Sequence, residues 1–223
     1  MAYSLGMSRT SFRRSAKIRT LSPIKLSKVL TFALIGFLAW GSSTPMAEAL
    51  APYSFPIKGC EFTYGRYHHN YPATDILTKV GCLFVAPTSG TVDEVNRVDR
   101  FSWKTNVGAD RGGLSISIVG DDGVRYYGSH LSSIPAKIVP GLRVAAGATL
   151  GRTGNSGDAK GTMPHLHFGI SWPTKAGIWW VRRGELSPWK YLNAWKIGKN
   201  ISPAVSVASL EGKLGKIPFH SGY

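Results

Sequence analysis

Five of the six histidines in this 223-residue chain lie in three short motifs, one of which also contains an aspartate. The motifs are RYHHNYPATDI (66–76, with His68, His69 and Asp75), YGSHL (127–131, with His130) and PHLHF (164–168, with His165 and His167). Histidine nitrogen and carboxylate oxygen suit zinc, and a catalytic zinc takes three protein ligands and leaves one position open for water. One histidine of the first motif, Asp75 and one histidine of the third motif would supply three ligands.

The spacing of the third motif predicts which side chains share a face. In a strand, residues i and i+2 point the same way, so His165 and His167 would face one side while Leu166 and Phe168 enter the core. The histidines that do not bind the metal would flank the open position, where they could move a proton or stabilise a tetrahedral intermediate. Each motif alone is equally typical of an exposed strand or loop, and only their joint occurrence favours a metal centre.

The segments that must position these residues have the pattern of short β-strands. LSISIVG (114–120) alternates apolar and polar residues, a turn follows at 121–123, and VRYYGSHL (124–131) completes a predicted hairpin. Further strands are predicted in LFVAP (83–87), GTVDEVNRV (90–98), LRVAAGATLGRTG (142–154) and PHLHFGISW (164–172). The sequence therefore predicts an all-β fold, an open antiparallel sheet or sandwich-like domain with a groove over the sheet.

The C-terminal tail is predicted to contain one short helix or coil. The segment PWKYLNAW would begin with Ser187 as N-cap and Pro188 in the first turn. Residues 199–223 are predicted to form a loose extension.

The whole pattern resembles the lysostaphin-type zinc endopeptidases, which cut peptidoglycan cross-bridges. The resemblance covers residues 65–172 and rests on HHNYPATDI, GCLFVAPTSGTV, GVRYYGSHLSSI, LRVAAGATLGRTGNSG and PHLHFGI in that order. It implies one zinc ion per chain, held by Asp75, His167 and one of His68 and His69. It also implies that His130 and His165 are the catalytic histidines.

Two positions depart from the family pattern. The common first motif is His-x-x-x-Asp, but the residue four before Asp75 is Tyr71, and the two histidines lie seven and six positions before the aspartate. The related D-alanyl-D-alanine peptidases have six residues between their histidine and aspartate, which matches His68, so we favour His68 as the ligand. The second departure is Gly169, where many members have an acid. We expect no effect on the chemistry there, because this is not a ligand position.

The N-terminus is predicted to be a secretory signal peptide. A basic stretch precedes VLTFALIGFLAW (29–40), and Ala47-Glu48-Ala49 supplies a small-x-small cleavage site. An uncleaved anchor is the alternative, although 12 apolar residues fall short of the roughly 20 that span a membrane. The predicted organisation is a signal peptide at 1–49, a zinc metallopeptidase β-domain at 50–183 (core 65–172) and a C-terminal extension at 184–223.

The two cysteines, Cys60 and Cys82, are predicted to form a disulfide if the chain is exported. An even count in an exported chain favours a disulfide, which would enclose the first histidine motif. Two free buried thiols or a Cys–His metal site are the alternatives.

The charge of the chain indicates its partners. The formal net charge is +15; without residues 1–49, which hold seven basic residues and one acid, it is +9, which would draw the exported protein toward anionic polymers. A late basic cluster could hold anionic wall polymers, or it could serve solubility alone: Arg182, Arg183, Lys190, Lys196 and Lys199. No nucleic-acid motif is present, and contact with a membrane is expected only through the N-terminal segment before its cleavage.

The resulting hypothesis is a secreted, cell-wall-associated zinc endopeptidase whose substrate is peptidoglycan. A catalytically inactive wall-binding regulator with the same fold is one alternative, and it would apply if the altered first motif breaks the metal site. A D-alanyl-D-alanine-type peptidase is the other.

Overall fold

The structure, a computed structural model, describes residues 53–219, which form ten β-strands and three α-helices. The strands are β1 Ile57–Lys58, β2 Thr63–Tyr64, β3 Thr74–Leu77, β4 Leu83–Val85, β5 Gly90–Asn96, β6 Leu114–Gly120, β7 Arg125–Ser133, β8 Arg143–Val144, β9 Thr149–Thr153 and β10 His165–Ser171. The helices are α1 Trp179–Arg182, α2 Trp189–Lys196 and α3 Ala204–Leu214. Single 3-10 turns lie at Gly108–Asp110 and Gly157–Ala159. The predicted all-β fold is confirmed, and every predicted strand segment contains a strand.

The strands form one antiparallel sheet with β10 near its centre. The order along the main path is β1-β4-β9-β7-β10-β3-β2, while β6 joins β7 to β5 and β5 pairs with β8. The hairpin predicted from the alternating pattern is β6 and β7. Strand β10 pairs with β3 on one side and β7 on the other, so the three histidine motifs meet on neighbouring strands.

The alternation within β10 separates the core from the face that carries the histidines. Leu166, Phe168 and Ile170 are fully buried in the main hydrophobic core. His165 and His167, on the opposite face, line a cavity together with the other motif residues. The orientation predicted from the i, i+2 spacing is therefore confirmed.

The short helix predicted in PWKYLNAW is present as α2, but the prediction of a loose extension over residues 199–223 is wrong, because α3 lies within that range. Two helices follow residue 184, and the indole of Trp195 in α2 packs edge-on against Phe168 on the core side of β10. Helix α3 is tied to α2, because the Tyr191 hydroxyl donates a hydrogen bond of 2.8 Å to Ser206 Oγ. The expected cap is also wrong, since Pro188 is the N-cap of α2 and no side chain caps it. Tertiary burial of aromatic side chains, rather than a local helical period, fixes this segment.

The N-terminal targeting segment at 1–49 lies outside the described residues and stays a prediction. Within residues 53–219, none of the helices is long and apolar enough to span a membrane.

The predicted disulfide is present between Cys60 and Cys82, which are 22 residues apart in sequence. The closed loop contains β2, the first histidine motif and β3. The bridge thus restrains both ends of the segment that carries His68 and Asp75.

Replacing both cysteines, as Cys60→Ala with Cys82→Ala, is expected to lower the free energy of unfolding by about 3 kcal/mol, because a closed loop of this size restricts the unfolded chain. Guanidinium denaturation of the oxidised wild type and the double variant measures the difference. Reduced wild-type protein is the control and should match the variant. Equal unfolding midpoints for oxidised wild type and variant would contradict a stabilising bridge.

Candidate metal centre

The register of three strands brings the histidine motifs to one point. His167 of β10 lies opposite Asp75 of β3 on one side and Ser129 of β7 on the other. His130 follows Ser129 directly, so the second motif enters the same place. Residues 92 positions apart in sequence thus come into direct contact.

The hydrogen bonds of His167 leave one ring nitrogen facing a carboxylate. Its Nε2–H donates to the backbone carbonyl of Arg183 at 2.9 Å, which assigns the proton of the neutral ring to Nε2. Its Nδ1 lies 3.0 Å from Oδ1 of Asp75. A lone pair facing a carboxylate at this distance requires either a second proton on the ring or a cation between the two groups.

His68 reaches the same carboxylate from the other side. Its Nε2 lies 3.6 Å from Oδ2 of Asp75, and its ring packs 4.9 Å from that of His167, centroid to centroid. Its Nδ1 is buried and has no hydrogen-bond partner within residues 53–219. His69 is exposed, although His68, His69 and Asp75 each offer a ligand atom within 4.8 Å of the other two.

His130 and His165 are held in the same manner as each other. Each donates its Nδ1–H to a backbone carbonyl at 2.8 Å, that of Ser156 for His130 and that of Met163 for His165. Their rings lie 4.8 Å apart, and Nε2 of His165 is 4.0 Å from the Asp75 carboxylate. Both Nε2 atoms are therefore left to accept a proton at the centre.

The backbone at His130 is strained in a way that is typical of functional sites. Its φ of 63° places a non-glycine residue in the left-handed region. Its N–H leaves the regular ladder and donates to the Gly112 carbonyl at 2.9 Å, where the pairing of β7 shifts register. This break turns the imidazole toward the other histidines.

Burial and neighbouring charges fix the protonation states. Burial, reinforced by electrostatic interaction with the neighbouring His167, lowers the pKa of His68 to about 4. Burial, with electrostatic interactions from the neighbouring His167 and His165, lowers the pKa of His130 to about 3. Burial alone would raise the pKa of Asp75, but its contact with His167 and the charges of the neighbouring histidines hold that pKa below its ordinary value. At neutral pH the site therefore has an ionised carboxylate beside neutral His68 and His130.

The cavity around these groups has a volume of about 340 Å³. All six predicted site residues line it: His68, His69, Asp75, His130, His165 and His167. Its walls come from the first histidine motif, the segment 108–112, the segment 158–162 and the segment 179–183. Burial raises the pKa of Asp158, whose Oδ1 lies 3.9 Å from Nε2 of His130.

The donors in this cavity fit one zinc ion. Two imidazole nitrogens and one carboxylate are a ligand set that zinc takes. The Nε2 of His68 and the Nδ1 of His167, which face the two oxygens of the same Asp75 carboxylate, are both accounted for if a cation is shared among these three residues. Each of His167, His130 and His165 has its other nitrogen anchored on a carbonyl, as is usual for histidines of metal centres.

Several residues at the site were not found from the sequence. Tyr71 packs 4.3 Å from the His68 ring, and the Arg183 guanidinium lies 3.8 Å above the Tyr71 ring. The assignment of Arg182 and Arg183 to a basic surface is wrong, because both line the cavity and Arg183 is buried. Adjacent arginines carry no sequence signal that separates a solvated face from a cavity wall. Only Lys190, Lys196 and Lys199 of that cluster are exposed.

The fold and the site define a class of protein: an all-β sheet with a histidine–carboxylate centre in a cavity over its face. Residues 69–177 match the model of peptidase family M23. The chain therefore carries an M23 peptidase domain of the lysostaphin type. The match begins one residue after His68, so it does not decide between the two histidines of the first motif.

Solved structures also resemble the chain. A Ruminococcus gnavus protein named for the glycyl-glycine endopeptidase LytM is 25% identical with a TM-score of 0.50, and the match covers 67% of this chain and 62% of that one. The catalytic domain of lysostaphin from Staphylococcus simulans is 24% identical with a TM-score of 0.43, over 60% of this chain and 92% of that domain. No curated protein sequence matches the chain.

Separate replacement of the two neighbouring histidines tests which one binds metal. His68→Ala should abolish stoichiometric zinc binding, because it removes a donor beside Asp75, whereas His69→Ala should retain zinc. Metal analysis after dialysis against a weak chelator measures the difference. An equal loss of zinc in both variants would exclude a single ligand from this motif.

Proposed function

We propose that the chain is a zinc-dependent endopeptidase that hydrolyses peptide cross-links or stem peptides of bacterial peptidoglycan. The observation that carries the proposal is the convergence of three donors, from His68, Asp75 and His167, beside two histidines with free Nε2 atoms. One zinc ion per chain would be held by these three residues.

The chemistry divides between the ion and the chain. Zinc, when bound, supplies a Lewis acid that polarises the scissile carbonyl and lowers the pKa of an attacking water. The Nε2 atom of His165, which lies 4.0 Å from the Asp75 carboxylate, is positioned to take the proton of that water. His130, with its Nδ1–H fixed on Ser156, can share that role or donate to the charge that develops on the tetrahedral intermediate.

The charge of the site agrees with an acid–base role for these two histidines. A general base must be unprotonated before reaction, and the low pKa of His130 satisfies that condition at neutral pH. Burial of the centre strengthens electrostatic interactions with a charged transition state, because the local dielectric is low.

Peptidoglycan as the substrate is supported by the M23 domain and by the likeness to a protein named for glycyl-glycine endopeptidase activity. The exposed lysines 190, 196 and 199 and the net charge of +9 over residues 50–223 suit contact with anionic wall polymers. Secretion is supported by the basic and apolar pattern of residues 1–49 and by the disulfide, which is typical of oxidising compartments.

The alternative of an inactive regulator depends on a broken first motif. In the structure the altered motif still brings His68 Nε2 to 3.6 Å from Asp75, and His130 and His165 line the same cavity. This geometry does not favour the regulator.

The zinc-loaded protein should release new amino groups from purified peptidoglycan, and His165→Ala should reduce the rate by about 10²- to 10⁴-fold, because it removes a proton acceptor. Amine labelling and mass spectrometry of the soluble products measure both the rate and the bond cleaved. The control is the zinc content of His165→Ala, which should equal that of the wild type. Zinc-loaded wild type that leaves peptidoglycan intact would refute the enzyme, and release of a terminal D-alanine alone would instead support the D-alanyl-D-alanine type.

A further inference from the structure

The support of His167 comes from the main chain of a distant segment. Its Nε2–H donates to the Arg183 carbonyl, 16 residues further along the chain, in a buried hydrogen bond of 2.9 Å. The Tyr71 hydroxyl is also near Nε2, but at 3.5 Å it is too far for a strong bond. The direction of this imidazole therefore depends on where residues 181–185, here called the strap, place one carbonyl.

The strap can reach His167 only because residue 169 is glycine. Gly169 is two residues after His167 on β10, so its missing side chain would lie on the same face of the sheet. A Cβ there would stand 2.1 Å from the Arg183 carbonyl oxygen and 3.0 Å from the backbone nitrogen of Gly184. Any side chain at 169 would push the strap off β10 and carry the carbonyl away from Nε2.

Gly184 makes the matching contact on the other side of the strap. Its φ is +140°, and a Cβ there would lie 2.3 Å from the Pro72 carbonyl oxygen and 3.3 Å from the Ala73 Cβ. The strap thus lies between β10, which carries His167, and the segment that leads from His68 to Asp75. It contacts both of the segments that supply the proposed ligands.

Both ends of the strap are anchored. After Gly184, the N–H groups of Glu185 and Leu186 both donate to the Ile170 carbonyl at 2.9 Å. Before Arg183, the Arg182 guanidinium forms an ion pair with Glu94 and lies over the Tyr127 ring.

The Glu94 anchor comes from an irregularity in β5. The pairing of β5 with β6 shifts register between Val92 and Glu94, which is the mark of a β-bulge. The bulge allows two successive acids to hold two arginines, since Asp93 pairs with Arg125 at 2.9 Å and Glu94 pairs with Arg182. The strap is therefore also fixed to the sheet through Glu94 of β5, a strand that carries none of the histidine motifs.

We propose that Gly169 and Gly184 are positioning residues for the metal ligand His167, because their lack of a side chain lets the strap bring the Arg183 carbonyl to Nε2. The inference rests on the proposed role of His167 as a zinc ligand. It gives Gly169 a purpose that the sequence did not suggest, since this position is not itself a ligand.

Gly169→Ala tests the inference, with Gly212→Ala as the matched control. The first places a methyl group against the strap, whereas the second places it in open space on α3. Zinc affinity, measured by competition with a chromogenic chelator, should fall by about 10- to 100-fold in Gly169→Ala and stay at the wild-type value in Gly212→Ala. Circular dichroism of the zinc-free proteins checks that each variant is folded.

Cobalt substitution separates positioning from general destabilisation. The visible absorption of bound Co²⁺ reports ligand geometry, so it should change in Gly169→Ala and not in the control. A folded Gly169→Ala with wild-type zinc affinity and an unchanged cobalt spectrum would overturn the inference.

If Gly169→Ala does not fold, Glu94→Gln tests whether the position of the strap affects zinc binding. This change loosens the anchor of Arg182 without adding an atom to the site, and a several-fold loss of zinc affinity is expected. Wild-type affinity in Glu94→Gln would then overturn the inference. If the wild-type protein binds no zinc, the proposed function and this inference are both refuted. If the wild type and a folded Gly169→Ala variant bind zinc equally tightly, only the inference is refuted.

Discussion

The register between β10 and β3 is the constraint on which the rest of the site depends. It sets His167 opposite Asp75, and the pairing of β10 with β7 adds His130 from the other side. Strand pairing is specified by the face that must be buried, here Leu166 and Phe168, which are fully enclosed. Because side chains alternate along a strand, a slip of one residue would turn the histidines into the core and the apolar residues into the cavity. Core packing and site geometry are therefore determined by the same pairing.

Around that pairing, the histidines are oriented by main-chain carbonyls from three separate segments. Ser156, Met163 and Arg183 each accept one ring N–H, of His130, His165 and His167 respectively. A backbone carbonyl never titrates, so it fixes the neutral tautomer without adding charge to a buried centre. The orientation of these histidines therefore depends on the segments between the strands. Arg183 lies after the last strand, so the C-terminal part of the chain also contributes to the site. Trp195 of α2 packs onto the core, and the segment just after Arg183 is bonded to Ile170 of β10 through the N–H groups of Glu185 and Leu186.

The altered first motif still brings a histidine to Asp75. Tyr71 stands where the family commonly has its histidine, and the aspartate keeps its place at the start of β3. The tyrosine ring packs 4.3 Å from that of His68 and itself lies beneath the Arg183 guanidinium. An imidazole from earlier in the loop thereby reaches Asp75 with a rigid aromatic surface behind it. The disulfide limits the freedom of the same loop at both of its ends.

The sequence by itself determined the all-β class, the strand segments, the cysteine pair and the set of histidines and aspartate that line the cavity. These follow from local alternation, turn residues and side-chain chemistry, which are properties of short stretches. It also indicated the short helix in PWKYLNAW, but it failed for α3, which is held by side-chain contacts with α2 rather than marked by a local period. It failed equally for Arg182 and Arg183, because a charged side chain carries no local mark of whether it meets solvent or a cavity. Only the tertiary structure decided that His68 faces Asp75 and that Gly169 makes room for the strap, since both depend on contacts between segments far apart in the chain.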